Sequence, residues 1–247
     1  MNLNTPGREG KKPAVNFSND FKRRQFLQTV SIIAGIFPCL GVSESRGDSG
    51  AESPKSAPTK SNEAAMELLA EMETKGGNFL NVPRKDGQFL NLLVKATRAR
   101  RVLELGTSHG YSAIWIGLAF AETGGKLTTL EILSERVELA KKHVAQAGLS
   151  HCVTLLEGDA HKLVPTLEGP FDFVFLDADK DGQLDYFNKL YPNKLSPGAV
   201  VVAHNAIQRS SAMKDFLEMI GNHRDFDSVI LSLTMDDGFS LSYRHRG

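Results

Sequence analysis

The chain has 247 residues, and its 29 Lys and Arg residues balance its 29 Asp and Glu residues, so the formal net charge at pH 7 is zero. This length suits one α/β domain with a sizeable core plus an extension. The balanced charge, with no basic stripe, argues against nucleic acid as a partner. The two cysteines, Cys39 and Cys152, exclude a disulfide framework and a cysteine-based zinc site.

Residues 1–42 have the three-part layout of an export signal or a membrane anchor. A basic stretch leads into Arg23-Arg24-Gln25-Phe26-Leu27, which resembles the twin-arginine motif of signals that carry folded proteins. The apolar run from Phe26 to Val42 is near the lower length limit for a membrane span. Residues 43–61, rich in Ser, Pro, Gly and Lys, predict a disordered linker. The alternative is a disordered basic tail that carries a chance apolar patch.

Residues 62–247 predict one folded domain. Two helices are expected first, one ending at Gly76-Gly77 and one from Asp86 to Thr97, because apolar residues recur there at helical spacing. From Arg101 onward, apolar strands alternate with helices, which predicts parallel strands covered on both faces. The strands are expected at residues 101–105, 126–131, 153–157, 171–176, 199–203, 226–233 and 238–244.

The last two strands lie too close together for a helical crossover, so they should pair antiparallel. The predicted fold is therefore α/β, a doubly wound and mostly parallel seven-stranded sheet with a C-terminal antiparallel hairpin. In such sheets ligands bind at the carboxyl ends of the strands, near the point where the strand order reverses. Chemistry-bearing residues should accordingly lie at the strand ends.

A glycine loop follows the first strand, between Gly106 and Gly110. Its G-x-x-x-G spacing differs from the G-x-G-x-x-G of dinucleotide-binding folds, and it favours S-adenosylmethionine over a dinucleotide. Glycines let the backbone approach a ligand closely, while Ser112 and the amides of the next helix can bind a carboxylate. The alternative is an ordinary turn between a strand and a helix.

Acidic residues follow the second and third strands. Glu131 lies 25 positions after Gly106, where a carboxylate can accept hydrogen bonds from two ribose hydroxyls. Asp159, in the turn after the third strand, can accept from the exocyclic amine of adenine. The alternatives are a surface acid flanking a helix for Glu131 and a helix N-cap for Asp159.

The residues after the fourth and fifth strands are the clearest candidates for catalysis and metal binding. Asp177 follows a buried strand and is suited to bind a divalent cation, and Lys180 is suited to take a proton from a nearby hydroxyl. His204 and Asn205 at the fifth strand end could complete a metal site with Asp177. The alternatives are a charged turn for the first pair and a capped loop histidine for His204.

Three motifs occur in order at these strand ends: V-L-E-L-G-T-S-H-G-Y-S, F-D-F-V-F-L-D-A-D-K and L-S-P-G-A-V-V-V-A-H-N. Together they resemble the cation-dependent class I O-methyltransferases, the group that contains catechol and caffeoyl-CoA O-methyltransferases. The resemblance covers about Glu73 to Arg244, most of the predicted domain.

The resemblance implies roles for the strand-end residues. The glycine loop would hold the methionine part of the cofactor, the second strand end its ribose, and the third its adenine. The residues that inherit these contacts are Glu104, Gly106, Ser108, Tyr111, Ser112, Glu131, Asp159, Ala160 and Asp177. The resemblance also implies that Asp177 and the residues at the end of strand five bind the metal, and that Lys180 removes the proton from the acceptor.

The sequence departs from the family pattern at one ligand. The fifth strand usually ends in Asp-Asn, whereas here it ends in His204-Asn205. Mg²⁺ prefers oxygen ligands, and imidazole suits Mn, Fe, Co, Ni or Zn better. We therefore expect Asp177, His204 and Asn205 to bind Mg²⁺ weakly and a softer divalent cation more tightly. The alternative is that the metal is lost and His204 serves as a base or substrate anchor.

The predicted function is S-adenosylmethionine-dependent, metal-assisted methylation of a small hydroxylated acceptor, catechol-like or phenolic. Two alternatives stay open at this stage: a nicotinamide oxidoreductase and a non-catalytic small-molecule-binding module on the same fold. Bacterial members of the family are often dimers, so a homodimer is compatible with the resemblance. The N-terminal segment indicates export or membrane contact, while S-adenosylmethionine is a cytoplasmic metabolite, so the two signals for location oppose each other.

Overall fold

The computed structural model describes residues 60–74, 82–233 and 237–247. The predicted signal or anchor at 1–42 lies outside the described residues, as does the predicted linker 43–61 except for its last two residues, where the first helix begins. Among the described helices, none combines the length and apolar character needed to cross a membrane.

Two helices precede the sheet, α1 at Lys60–Thr74 and α2 at Arg84–Thr97. The strands are β1 Arg101–Leu105, β2 Lys126–Glu131, β3 Val153–Glu157, β4 Phe171–Leu176, β5 Leu195–His204, β6 Phe226–Leu231 and β7 Phe239–Arg244. The helices between them are α3 Tyr111–Thr123, α4 Ser134–Gln146, α5 Ala160–Leu163, α6 Gln183–Leu190 and α7 Lys214–Gly221, with a 3-10 turn at Val164–Thr166.

The described strands form one seven-stranded sheet in the order β3-β2-β1-β4-β5-β7-β6. Strands β1 to β5 run parallel, whereas β7 pairs antiparallel with both β5 and β6. This confirms the doubly wound, mostly parallel sheet with a C-terminal antiparallel hairpin. The order reverses between β1 and β4, which places the ligand-binding crevice at their carboxyl ends.

The last strand of the hairpin, β7, lies between β5 and β6, and β6 forms the edge of the sheet. Strand β7 buries Phe239, Ser240 and Ser242, while the edge strand β6 leaves Val229 and Ile230 exposed. The burial pattern explains the order, because the strand with more buried side chains takes the position paired on both edges. Strand β5 also begins four residues before its expected start, at Leu195.

Helices cover both faces of the sheet, as continuous apolar strands require. Alternate strand residues point to opposite faces: Phe173 and Phe175 pack with α1 to α4, and Val174 and Leu176 pack with α5 to α7. Strand β4 is therefore buried on both sides, and only its carboxyl end is open to chemistry.

A carboxylic acid is buried within this sheet. Glu104 on β1 is fully buried, and its side chain accepts a hydrogen bond from Thr129 Oγ1 at 2.6 Å. Burial raises the pKa of Glu104 to about 7, although the hydroxyls of Ser112 and Thr129 partly oppose that shift. Glu104 is accordingly protonated at mildly acidic pH in the folded protein, whereas the unfolded chain ionises it.

We expect this acid to make stability depend on pH. The pKa of Glu104 is higher in the folded protein than in the unfolded chain. Ionisation of Glu104 therefore does not reduce the free energy of unfolding below about pH 4.5, and it lowers that free energy by up to roughly 3 kcal/mol as the pH rises to 7 and above. Urea unfolding at pH 5 and pH 7.5 should show a smaller loss of unfolding free energy for Glu104→Gln than for the wild type. Equal losses in the two proteins would contradict this account of Glu104.

Candidate active site

A cleft of about 870 Å³ runs along the carboxyl ends of β1 to β5. It brings together residues that are far apart in the chain but share one edge of the sheet. The predicted site residues that line it are Gly106, Ser108, Glu131, Asp159, Ala160, Asp177, Lys180, His204 and Asn205. The cleft is large enough for a nucleoside-sized ligand and a small second molecule.

Three predicted cofactor residues do not line this cleft, namely Glu104, Tyr111 and Ser112. Tyr111 is buried at the start of α3, and its hydroxyl donates to Glu73 Oε1 on α1 at 2.6 Å. Glu104 and Ser112 are buried behind the glycine loop. The three side chains are buried in this structure, and their contact with a cofactor stays a prediction.

The glycine loop is pressed against the tip of β4. Gly106 has φ of 96°, and a Cβ on it would lie 2.8 Å from backbone atoms of Asp177 and Ala178. Only glycine fits this backbone and this approach. The tips of β1 and β4 can therefore lie side by side and form one wall of the cleft.

Backbone amides hold the Glu131 carboxylate in position. Its Oε2 accepts from the Ser108 amide at 2.8 Å, and its Oε1 accepts from the amides of Ile132 and Leu133 at 3.0 and 3.1 Å. A carboxylate has about four acceptor positions, so about one stays open for a ligand. The three amides fix the orientation of Glu131, and the remaining position limits how many hydroxyls it can bind without rearrangement.

The turn after β3 is shaped by Asp159. Its Oδ1 accepts from the His161 amide at 2.9 Å, which makes Asp159 the N-cap of α5. Asp159 and Ala160 also line the cleft. The N-cap role is therefore compatible with contact to a ligand at this residue, which stays a prediction.

Asp177 and Lys180 form a partly buried ion pair at the tip of β4. Lys180 Nζ donates to Asp177 Oδ1 at 2.6 Å, and their side chains are only 13% and 15% exposed. Burial raises the pKa of Asp177, but the charge of Lys180 and the hydrogen bond with His204 outweigh it and hold that pKa below its ordinary value. Asp177 is therefore a stable carboxylate that keeps the Lys180 amine facing the cleft.

His204 lies between two carboxylates at the end of β5. Its Nδ1 is 3.2 Å from Asp177 Oδ1, and its Nε2 is 3.2 Å from Asp86 Oδ2 on α2. Burial lowers the pKa of His204, but the hydrogen bonds to Asp177 and Asp86 outweigh it and raise that pKa to about 9. At neutral pH the ring therefore carries a proton on each nitrogen and donates to both carboxylates.

The donor set at this point fits a divalent cation of intermediate softness. A carboxylate (Asp177), an imidazole (His204) and an amide (Asn205) line one cleft. Asn205 Nδ2 donates to Gln208 Oε1 at 3.3 Å, which leaves the amide oxygen as the group offered to a ligand. Nitrogen among the ligands suits Mn, Fe, Co, Ni or Zn better than Mg.

Asp86 contacts this site but is not among the site residues that the sequence predicts. It is only 2% exposed, and it shares the buried face of α2 with Leu90 and Val94, four and eight residues later. An acid on the apolar stripe of an amphipathic helix is a detectable signal, since buried carboxylates occur almost only with partners. The sequence does not reveal that its partner is His204.

The chain is similar to known proteins over most of its length. Residues 55–244 match the family model described as O-methyltransferase. A catechol O-methyltransferase from Niastella koreensis is 34% identical over 69% of this chain and 82% of its own length. Caffeoyl-CoA O-methyltransferase 1 from Zea mays is 32% identical over 73% of this chain and 78% of its own.

A solved structure that contains a bound cofactor shares the fold of this chain. The O-methyltransferase TomG from Streptomyces achromogenes, in complex with S-adenosylmethionine, superposes with a TM-score of 0.65 and 30% identity over 76% of this chain and 91% of its own. The sheet order, the cleft at the strand ends and the match over residues 55–244 agree. The chain belongs to the O-methyltransferase family of S-adenosylmethionine-dependent enzymes.

Proposed function

We propose that this enzyme transfers the methyl group of S-adenosylmethionine to a hydroxyl of a small catechol-like or phenolic acceptor. The observation that carries the proposal is the Lys180–Asp177 pair, an amine held at 2.6 Å by a carboxylate at the tip of β4, inside the cleft that Gly106 and Glu131 line. Relatives named catechol and caffeoyl-CoA O-methyltransferases support the acceptor class.

The cofactor is proposed to lie along β1, β2 and β3. The acceptor position left on Glu131 would take a ribose hydroxyl, and the turn at Asp159 and Ala160 would flank the adenine. The loop at Gly106 and Ser108 would accommodate the methionine part next to the backbone amides at the start of α3, where a carboxylate is favoured. This arrangement would direct the sulfonium methyl towards the tip of β4.

The acceptor is proposed to lie between Lys180 and Asn205. As the hydroxyl oxygen attacks the methyl carbon, the carbon–oxygen bond forms, the carbon–sulfur bond breaks and the sulfonium becomes a neutral thioether. Lys180, once its amine is unprotonated, takes the hydroxyl proton and regains the positive charge that pairs with Asp177, which keeps the amine in place. Because the methyl group is already activated, alignment of the acceptor behind it is the main task of the protein.

We further propose that Asp177, His204 and Asn205 hold a divalent cation. When bound, such a cation supplies a positive charge that lowers the pKa of the acceptor hydroxyl and orients the acceptor. The proton transfer itself remains with Lys180, and the orientation of the methyl donor remains with Glu131 and the glycine loop.

Replacing the proposed base should slow the chemical step. Lys180→Met keeps the aliphatic stem but removes the amine, so kcat with catechol should fall by about 10²- to 10⁴-fold. The control is Lys214→Met, whose lysine pairs with Glu218 on the surface of α7 and should leave kcat unchanged. Product formation followed by chromatography measures both variants. An unchanged kcat in Lys180→Met, with only KM altered, would show that Lys180 is not the base.

Replacing the proposed ribose ligand should weaken cofactor binding. Glu131→Gln removes a charged acceptor, and charged hydrogen bonds contribute roughly 1.5–3 kcal/mol, so the Kd for S-adenosylhomocysteine should rise about 10- to 100-fold. Glu157→Gln is a matched control, because Glu157 is the register partner of Glu131 on β3 and does not line the cleft. Isothermal titration calorimetry gives both constants; equal Kd values in the two variants would reject the ribose role.

A further inference from the structure

We propose that Asp86 is a positioning residue that fixes the ring orientation and tautomer of His204, and that this pair makes the cation site prefer Mn²⁺, Co²⁺ or Zn²⁺ over Mg²⁺. The inference rests on the proposed function, in that it concerns the cation position beside Asp177. It adds a residue outside the three motifs, on a helix that precedes the sheet, and a specific ligand chemistry for the site.

The two nitrogens of the His204 ring face different partners, so each can have a different role. Nε2 faces Asp86 Oδ2 at 3.2 Å, deep in the protein, and Nδ1 faces Asp177 Oδ1 at 3.2 Å, on the cleft side. A neutral imidazole carries one N–H and one lone pair. When a bound cation replaces the Nδ1 proton, the remaining N–H on Nε2 is donated to Asp86 and the Nδ1 lone pair points to the side where Asp177 offers its oxygen.

The surroundings of His204 prevent the ring from turning away. The ring is 5% exposed and packs against Phe239 and Phe175, with centroid distances of 5.0 and 6.3 Å. Asp86 itself is held by the close approach of its helix to α3, since a Cβ on the neighbouring Gly87 would lie 2.2 Å from the Trp115 ring. Both partners of the pair are therefore fixed by packing.

Stability alone does not account for this pair. Burying two charges costs free energy that their attraction repays poorly, and apolar replacements of similar volume are often neutral or stabilising. A carboxylate that accepts from the distal N–H of a metal-binding histidine, by contrast, is a recurrent arrangement that sets the tautomer and raises ligand basicity. The placement of Asp86 matches that arrangement.

The resulting donor set decides the preferred cation. Mg²⁺ demands oxygen ligands and dehydrates reluctantly, whereas an imidazole nitrogen raises affinity for Mn²⁺, Co²⁺ and Zn²⁺. Binding at Nδ1 requires that nitrogen to be free of a proton, while the Nε2 proton stays on the Asp86 side. Loss of a distal carboxylate of this kind typically costs 10- to 100-fold in metal affinity.

The positions of Asp86 and His204 also allow a second arrangement of cation ligands. Asp86, His204 and Asp237 each offer one ligand atom, and these atoms lie within 4.8 Å of one another. In that arrangement Asp86 would be a direct ligand and Asp177 would not take part. Substitutions of Asp177 and Asp237 therefore separate the two arrangements.

The test measures cation binding directly on the full chain. Calorimetry gives the Kd for Co²⁺ and for Mg²⁺, and the visible absorption of bound Co²⁺ reports its ligand field. The wild type should bind Co²⁺ more tightly than Mg²⁺. Asp86→Asn should weaken Co²⁺ binding about 10- to 100-fold and alter the Co²⁺ spectrum. His204→Asp should reverse the preference towards Mg²⁺, and it keeps the proposal testable if Asp86→Asn does not fold.

Control variants and activity assays distinguish failure of the cation-site proposal from failure of the proposed function. Asp177→Asn should weaken Co²⁺ binding, whereas Asp237→Asn should leave the Co²⁺ Kd within about threefold. The proposal is overturned if the wild type binds no divalent cation or prefers Mg²⁺, if Asp86→Asn behaves like the wild type, or if Asp237→Asn abolishes binding. Failure of the proposed function has a different signature, namely no methyl transfer to catechol and no binding of S-adenosylhomocysteine.

Discussion

The Asp177 carboxylate is the group on which the rest of the site depends. It lies at the end of β4, a strand buried on both faces, so its backbone has little freedom. From that fixed point it contacts Lys180 on one side and His204 on the other. The wall of the cleft that the tips of β1 and β4 form depends on the same point, because Gly106 allows the tip of β1 to lie against the Asp177 backbone.

The buried charges at this site reduce the stability of the fold unless they are paired. Their arrangement is therefore a guide to function, because stability alone does not explain it. Buried carboxylates and cations destabilise a fold unless each one has a partner. Here Asp86, His204, Asp177 and Lys180 form a continuous chain of opposite charges leading from the core to the cleft. The chain of charges ends with Asp177 and Lys180 in the cleft, where we propose that the acceptor hydroxyl loses its proton.

Much of the fold and part of the site could be predicted from sequence. Asp177 and Lys180 are recognisable because they lie in the turn after an apolar strand. Glu131 is recognisable because it ends a strand, and Asn205 because it directly follows one. The position of β7 between β5 and β6 could not be predicted, since it depends on which strand buries more surface. The contact of Asp86 with His204 joins residues 118 positions apart, and neither one carries a local signal of its partner. The motif fixes the place of Tyr111 in the chain but not the direction of its side chain, whose hydroxyl donates to Glu73.

We propose that the methyl donor binds in the cleft at the ends of β1 to β4 and faces the Asp177–Lys180 pair. The most direct measurement is a crystal structure of the enzyme with S-adenosylhomocysteine. The account predicts a ribose hydroxyl within hydrogen-bonding distance of Glu131, adenine beside Asp159 and Ala160, and the thioether sulfur directed towards Lys180. A ligand bound outside this cleft, or one whose sulfur points away from Lys180, would contradict it.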